Sequence, residues 1–283
     1  MATPLRIKSV HIEGFRCITD VTLDLTDPAT GEAAPFVAIV GPNGSGKTAL
    51  LEGVVHVILG NLGLGTRDVP PKAEIVMSGG VLNWPPPLNL PPETRSSLML
   101  HTLYQPAFRD PLIPGRQIRP GLPQRIGPDL ALSGDSLHTA DRADHIYQWL
   151  MARQISRDRI PELWAAVEPF LGGFSFFDLD PHTFEPRFQR DTTTVTFSQL
   201  SGGQRTMVFS FAEILMQCGD SGLLLIDEPE QHIHPEWQRK LPAALQKLMP
   251  HGQVIVATHS PFLVHGLAPH QVFVLGPVDG EEA

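Results

Sequence analysis

Eight residues restrict the fold of this chain more than any others: Gly41-Pro-Asn-Gly-Ser-Gly-Lys-Thr48, directly after the apolar run Phe36 to Val40 and directly before a segment that reads as a helix from Lys47. Strand, glycine-rich turn and helix in immediate succession make a P-loop unit. Glycines let the backbone curl so that successive N–H groups point into one concavity. The helix N-terminus adds partial positive charge, and the result is a cradle for phosphate oxygens. Gly41, Pro42, Asn43, Gly44, Ser45 and Gly46 form its wall, Lys47 supplies a mobile cation, and Thr48 offers a hydroxyl to Mg²⁺.

Two further strand ends carry chemistry. Leu223-Leu-Leu-Ile226 is a continuous apolar run, expected of a parallel strand buried on both faces, and it ends in Asp227-Glu228-Pro229. Asp227 is placed to hold the Mg²⁺ hydration shell, and Glu228 to orient or deprotonate a water attacking the γ-phosphate. Val254 to Ala257 ends in Thr258-His259-Ser260-Pro261. A histidine at the carboxyl edge of a neighbouring strand can donate to the γ-phosphate and so report which nucleotide is present.

The remaining sequence fits an α/β fold with a mostly parallel sheet flanked by helices. Leu5 to Ile12 and Val21 to Leu25 are strand-like, so an antiparallel strand region is expected at the N-terminus. From Gln204 the chain alternates: helix to Cys218, strand Leu223 to Ile226, helix Trp237 to Leu248, strand Val254 to Ala257, strand Val272 to Leu275. Between them, 13 prolines from Pro70 to Pro128 argue against regular helix, although Ser97 to Tyr104 can be a strand. Helical spacing returns at Ile146, Trp149 and Leu150 and at Leu163, Trp164, Val167 and Leu171, and Thr192 to Phe197 is strand-like. One domain is expected, with a nucleotide-binding core at 1–60 and 199–283 and an inserted helical and irregular lobe at about 61–198. The 18% charged residues and net charge of −9 exclude a uniformly basic coat. Cys17 and Cys218 make no disulfide framework, the first residues hold no apolar signal core, and the longest uncharged apolar stretch, Gly53 to Gly65, is too short to span a bilayer. A cytoplasmic protein without membrane insertion is expected.

Leu200-Ser-Gly-Gly-Gln204 opens the helix ahead of the acidic strand, with Ser201 as a natural N-cap. Taken in order, Gly41 to Thr48, Leu200 to Gln204, Asp227-Glu228 and His259 resemble the ABC-type ATPases. The resemblance implies an ABC-ATPase head of the P-loop NTPase fold, with ATP and Mg²⁺ as ligands. It also implies hydrolysis to ADP and phosphate in a homodimer formed in the ATP state, in which Ser201, Gly202, Gly203 and Gln204 of one copy close over the nucleotide of the other. Ile12-Glu-Gly-Phe-Arg16 with Val21-Thr-Leu-Asp-Leu25, and Glu230-Gln-His-Ile-His-Pro235 after the acidic pair, are similar to the SMC, RecF and OLD-like branch. That similarity implies a nucleotide contact for Arg16. His234 replaces the aspartate of the transporter loop, and a neutral histidine cannot copy a fixed carboxylate.

Gln105, the first glutamine after Lys47, is the candidate sensor glutamine of this family; an ordinary loop glutamine is the alternative. Glu230, His232 and His234 also admit a metal reading. Arg109, Arg116, Arg119 and Arg125 against Asp110 form a small basic cluster, either a solvated loop or a contact for nucleic acid or an acidic partner. The 24 residues after His259 leave room for a strand and an acidic tail and not for a fused nuclease domain, so an effector protein such as a nuclease is expected in trans. The functional expectation is a nucleotide-controlled clamp in DNA repair or anti-phage defence. A transporter nucleotide-binding subunit and an ATP-gated module without turnover are the alternatives.

Overall fold

The computed structural model describes residues 6–62, 70–86, 102–106, 149–150, 160–183, 185–231 and 233–276. The chain runs through β1 (Ile7–Phe15), β2 (Ile18–Asp24), β3 (Phe36–Val40), α1 (Lys47–Asn61), β4 (Lys72–Met77), β5 (Gly80–Trp84) and β6 (Thr102–Pro106). It continues through α2 (Ile160–Val167), β7 (Ser175–Leu179), β8 (Pro186–Arg190), β9 (Thr193–Thr196) and α3 (Gly202–Cys218). The final elements are β10 (Leu223–Asp227), α4 (Pro235–Leu248), β11 (Gln253–Thr258), α5 (Pro261–Val264) and β12 (Val272–Val274).

Short apolar strands with side chains alternating across the sheet divide the interior into two cores. The central sheet is parallel, in the order β12-β3-β11-β10-β6. On one face Phe36, Ala38, Leu224, Ile226, Val254 and Val256 pack with α2, α3 and α4. On the other, Val37, Ile39, Leu223, Leu225, Ile255 and Ala257 pack with α1 and an antiparallel sheet of order β2-β1-β4-β5. Leu50, Leu51, Val54, Val55, Val57 and Ile58 of α1 are all buried, as a helix covered by a layer on each side requires. Gln253 ties the layers: its Oε1 accepts from Ile7 N–H at 2.7 Å and its Nε2 donates to the carbonyls of Ile7 and Ala34 at 2.9 and 3.0 Å.

The mostly parallel α/β architecture with an N-terminal antiparallel region is thus as expected. The proline-rich stretch differs in one respect. Lys72 to Trp84 forms a hairpin paired to β1, and Thr102 to Pro106 forms the edge of the parallel sheet, so residues inside the expected lobe complete both sheets of the core. The prolines flank these strands rather than interrupt them: Ala73, Ile75 and Met77 alternate inward from between Pro71 and Pro85. Strands β7, β8 and β9 form a separate antiparallel sheet. The helix expected around Trp164 ends at Val167 and tightens into a 3₁₀ turn at Glu168–Phe170. Trp149 and Leu150 are helical, whereas Ile146, the strand positions before Thr102 and the basic cluster Arg109 to Arg125 lie outside the described residues. Among the described residues no helix is long and apolar enough to cross a membrane.

Candidate functional site

Parallel pairing sets the strand ends level with one another. Val40 pairs with Thr258, Ala257 with Asp227, and Asp227 with Pro106, so the loops after β3, β11 and β10 leave from one edge of the sheet. Open α/β sheets bind ligands at this carboxyl edge.

The loop after β3 folds as a cradle. Gly44 and Gly46 have φ of +82° and +90°, a left-handed backbone that a side chain would strain. Lys47, 5% exposed, lies inside the curl and donates through Nζ to the carbonyls of Gly41 and Pro42 at 2.9 and 2.8 Å. Ser45 Oγ is buried without a partner among the described residues. Asn43 at the tip is exposed. The turn that carries Arg16 abuts this loop: a Cβ on Gly46 would lie 3.2 Å from Cys17 Sγ. Arg16 itself has φ +53°, ion-pairs with Glu52 of α1 and lies over the Phe15 ring.

Asp227 is the last residue of β10, and the Thr48 hydroxyl lies beside its carboxylate. Burial pushes its pKa above the ordinary carboxylate value; the Thr48 hydroxyl opposes this, the Glu228 charge adds to it, Lys47 opposes it, and Glu230 adds to it. Asp227 Oδ1 is buried and has no partner among the described residues. A hydroxyl beside a desolvated carboxylate with an unanswered oxygen fits a hard divalent cation that prefers oxygen ligands, and Mg²⁺ is such an ion.

Glu228 follows with φ +49°, a conformation that costs a non-glycine residue about 1–2 kcal/mol. Its N–H donates to the Ala257 carbonyl at 2.8 Å, and Gln231 Nε2 donates to its Oε2. The side chain, 28% exposed, remains open to solvent. His259 Nδ1 lies 3.9 Å from Glu228 Oε1 and 3.1 Å from Glu230 Oε1, and the His259 backbone N–H donates to the same Glu230 oxygen at 2.8 Å. The structure therefore brings together Lys47, Thr48, Asp227, Glu228 and His259.

The signature segment is held by bonds of its own. Ser201 and Gln204 cap α3 reciprocally: Gln204 N–H donates to Ser201 Oγ at 3.3 Å, and Ser201 N–H donates to Gln204 Oε1 at 2.9 Å. Gln204 Nε2 donates to the Leu171 carbonyl at 2.9 Å. Gly202 begins the helix, its carbonyl accepting from Thr206 Oγ1. A Cβ on Gly203 would lie 3.1 Å from the Trp237 ring of α4, so a small residue lets the two helices meet. These bonds run to the chain's own α2 turn and α4. Gln105 stands on edge strand β6, paired with Ile226 and one position before the Pro106 and Asp227 pair.

Glu230 and Gln231, which hold His259 and Glu228, were not separable from the sequence, where Glu230 read only as a companion of His232 and His234. The structure engages Glu230 with His259 and uses His234 to cap α4 through Nδ1, accepting from Glu236 N–H at 3.3 Å. His232 lies outside the described residues.

Fold and site geometry define a P-loop nucleotide-binding protein of the ABC-ATPase head class. Residues 123–265, half of the chain, match the family model "AAA domain, putative AbiEii toxin, Type IV TA system", and residues 9–68 match a second AAA-domain model. The chain belongs to this AAA-domain family. It is 29% identical over 121 residues to the retron Ec83 probable ATPase of Escherichia coli, covering 39% of this chain and 22% of that protein. It is 21% identical over 296 residues to the Septu protein PtuA of Bacillus mycoides, covering 98% and 41%. The OLD nuclease of Thermus scotoductus is 24% identical over 326 residues, covering 90% and 59%. The chain thus spans less than two thirds of the length of each of these relatives. Among solved structures, the SMC head domain from Thermotoga maritima superposes with a TM-score of 0.50 at 16% identity, covering 92% of this chain and 91% of that one. An SMC head bound to the C-winged helix domain of ScpA gives 0.51 at 15%, covering 91% and 90%. At these identities the likeness concerns the fold.

Proposed function

We infer that the chain hydrolyses ATP and acts as a nucleotide-controlled clamp, two copies closing head to tail over two nucleotides. One observation carries this reading. The groups suited to phosphate, metal and water sit together at one sheet edge, while Ser201 to Gln204, the other anion-suited helix start, is bonded into a different part of the same chain. A second copy is the natural source of that helix start. In this reading the P-loop N–H groups and the partial positive charge of the α1 N-terminus hold the phosphates, and Lys47 leaves the Gly41 and Pro42 carbonyls to meet the β and γ oxygens. Thr48 and Asp227 would hold Mg²⁺, which when bound neutralises developing phosphate charge. Glu228 orients the attacking water and receives its proton, and His259 contacts the γ-phosphate. Arg16 reaches the nucleotide from beside Gly46, and Gln105 answers from the end of β6. When the γ-phosphate leaves, charge-assisted contacts from both copies lose their acceptor and the clamp opens.

Similarity to a Septu protein, a retron ATPase and an OLD nuclease supports a role in bacterial defence or repair, with an effector protein such as a nuclease on a separate chain and nucleic acid as a further partner. The test is Glu228→Gln with Mg²⁺ and ATP. Phosphate release should fall at least about a hundredfold while ATP stays bound, and light scattering should report a dimer that wild type forms only transiently. Lys47→Ala should lose ATP binding. A Glu228→Gln protein that turns over rapidly and stays monomeric would refute the reading. Affinity purification of the trapped form in ATP then identifies the effector or nucleic acid.

A further inference from the structure

The loop after β10 is a tight double turn, closed by Gln231 N–H on the Glu228 carbonyl and by Ile233 N–H on the Glu230 carbonyl, each at 3.1 Å. This fixes the Glu230 backbone and turns its side chain, 5% exposed, toward the loop after β11. There a single oxygen, Oε1, accepts from the backbone N–H of His259 at 2.8 Å and lies 3.1 Å from the ring Nδ1. The other oxygen, Oε2, is buried without a partner among the described residues. Burying a carboxylate with one oxygen unanswered costs stability, so Glu230 is a poor choice if its only task is to hold the loops together. The neighbouring link already does that: Ser260 Oγ donates to Gln238 Oε1, and Gln238 Nε2 donates to the Ile233 carbonyl at 2.8 Å.

A chelate of backbone and ring by one carboxylate oxygen achieves something that link cannot. It fixes the orientation of the imidazole and, because a bare ring nitrogen is repelled by a carboxylate oxygen 3.1 Å away, favours the tautomer in which Nδ1 carries the proton and Nε2 is the nitrogen left for another group. We propose that Glu230 is a positioning residue that sets the orientation and tautomer of His259 and ties the sensor to the turn bearing Glu228. Any shift of the loop after β10 is thereby transmitted to His259, and the two groups approach the nucleotide as a unit. This inference rests on the reading of His259 as the γ-phosphate contact.

Glu230→Gln preserves size and retains an oxygen for the His259 N–H, but it removes the carboxylate that commits Nδ1 to donation. Expected are a melting temperature no lower than wild type, a kcat reduced about ten- to a hundredfold, and an unchanged KM for ATP. In a His259→Ala background the same substitution should cost less than about twofold, because nothing is left to position. Equal fold losses in both backgrounds, a lowered melting temperature, or an increased Mg²⁺ requirement that makes Glu230 a metal ligand would each overturn the proposal. A readout independent of turnover is the ¹⁵N spectrum of the imidazoles, with His259 assigned by its loss in His259→Ala. Wild type should show a protonated Nδ1 that becomes a mixture in Glu230→Gln, and an Nε2–H tautomer in wild type overturns the idea. Retention of ATP binding by Lys47→Ala would count against the nucleotide reading and leave the imidazole result untouched.

Discussion

Replacing Asp227 by asparagine should make the protein more stable without ligand and less stabilised by ligand, two opposite signs from one residue. Asp227 Oδ1 is buried and unanswered, and burial raises the carboxyl pKa despite the Thr48 hydroxyl and Lys47. Asparagine keeps a polar atom in that place but removes the charge that burial penalises; with the favourable Thr48 and Lys47 interactions lost as well, the gain is about 1 kcal/mol. In a protein of this size that corresponds to a melting temperature higher by about 2–4 °C. Magnesium and ATP at a hundredfold their dissociation constant should stabilise wild type by about 2.7 kcal/mol. If loss of the carboxylate weakens binding about ten- to a hundredfold, the same mixture adds only about 0.4–1.4 kcal/mol to the variant, so the order of the two proteins reverses. Because folding raises this pKa, native Asp227 keeps its proton to higher pH than the unfolded chain does. Wild type therefore loses stability as pH climbs from the ordinary value of about 3.9 through the raised one, and the ligand-free advantage of the variant fades toward about pH 4. Thermal denaturation across pH, with and without Mg²⁺ and ATP, measures all three effects. A variant that melts lower when ligand-free, or shows the full ligand shift, would refute the placement of Asp227 as a desolvated cation ligand.

Gln253→Leu keeps the volume but leaves the Ile7 N–H and the Ile7 and Ala34 carbonyls without their buried partner, so urea denaturation should show a loss of about 3 kcal/mol; a change below about 0.5 kcal/mol would mean the two layers are held otherwise. Cys17 is exposed, whereas burial pushes the Cys218 thiol strongly up, so a thiol reagent should titrate one cysteine in the native protein and both in denaturant. Gly203→Ala sets a methyl 3.1 Å from the Trp237 ring. The gain in helix propensity of about 1 kcal/mol roughly offsets the crowding, so stability should change little while phosphate release falls; an unchanged rate would separate Gly203 from the nucleotide.

The part of the fold visible in the sequence is the part where periodicity and turn chemistry agree. Phe36 to Val40 and the helix from Lys47 appear at the positions read from the sequence, because an uninterrupted apolar run against a glycine turn has few other ways to fold. The hairpin Lys72 to Trp84 did not stand out, although Ala73, Ile75 and Met77 alternate, because the density of prolines nearby outweighed a short period-two signal. Among the site residues, Asp227, Glu228 and His259 were legible because each follows a run of β character. Glu230 was not: its partner His259 lies 29 residues away, and only the pairing of β10 with β11 brings them together.

Strand order decides which chemistry can cooperate. β11 lies between β3 and β10, so His259 leaves the sheet between the phosphate cradle and the acidic pair. Adjacent strands are about 4.8 Å apart, which puts the end of β3 roughly 10 Å from the end of β10, too far for a loop residue alone to bridge. The bridge is α1. It starts at the cradle and packs across β11 onto β10, so that Thr48 in its first turn reaches the Asp227 carboxylate while Lys47 stays within the curl. The same crossing buries α1 against the antiparallel sheet, whose Arg16 and Cys17 turn is thereby pressed against Gly46. A change in the cradle therefore has a packed route to Asp227 through one helical turn and to the N-terminal sheet through the other face of the same helix. The signature segment is anchored elsewhere: Gln204 bonds to the Leu171 carbonyl, and Gly203 lies against Trp237 of α4, whose next residue, Gln238, bonds to the Ile233 carbonyl and to Ser260.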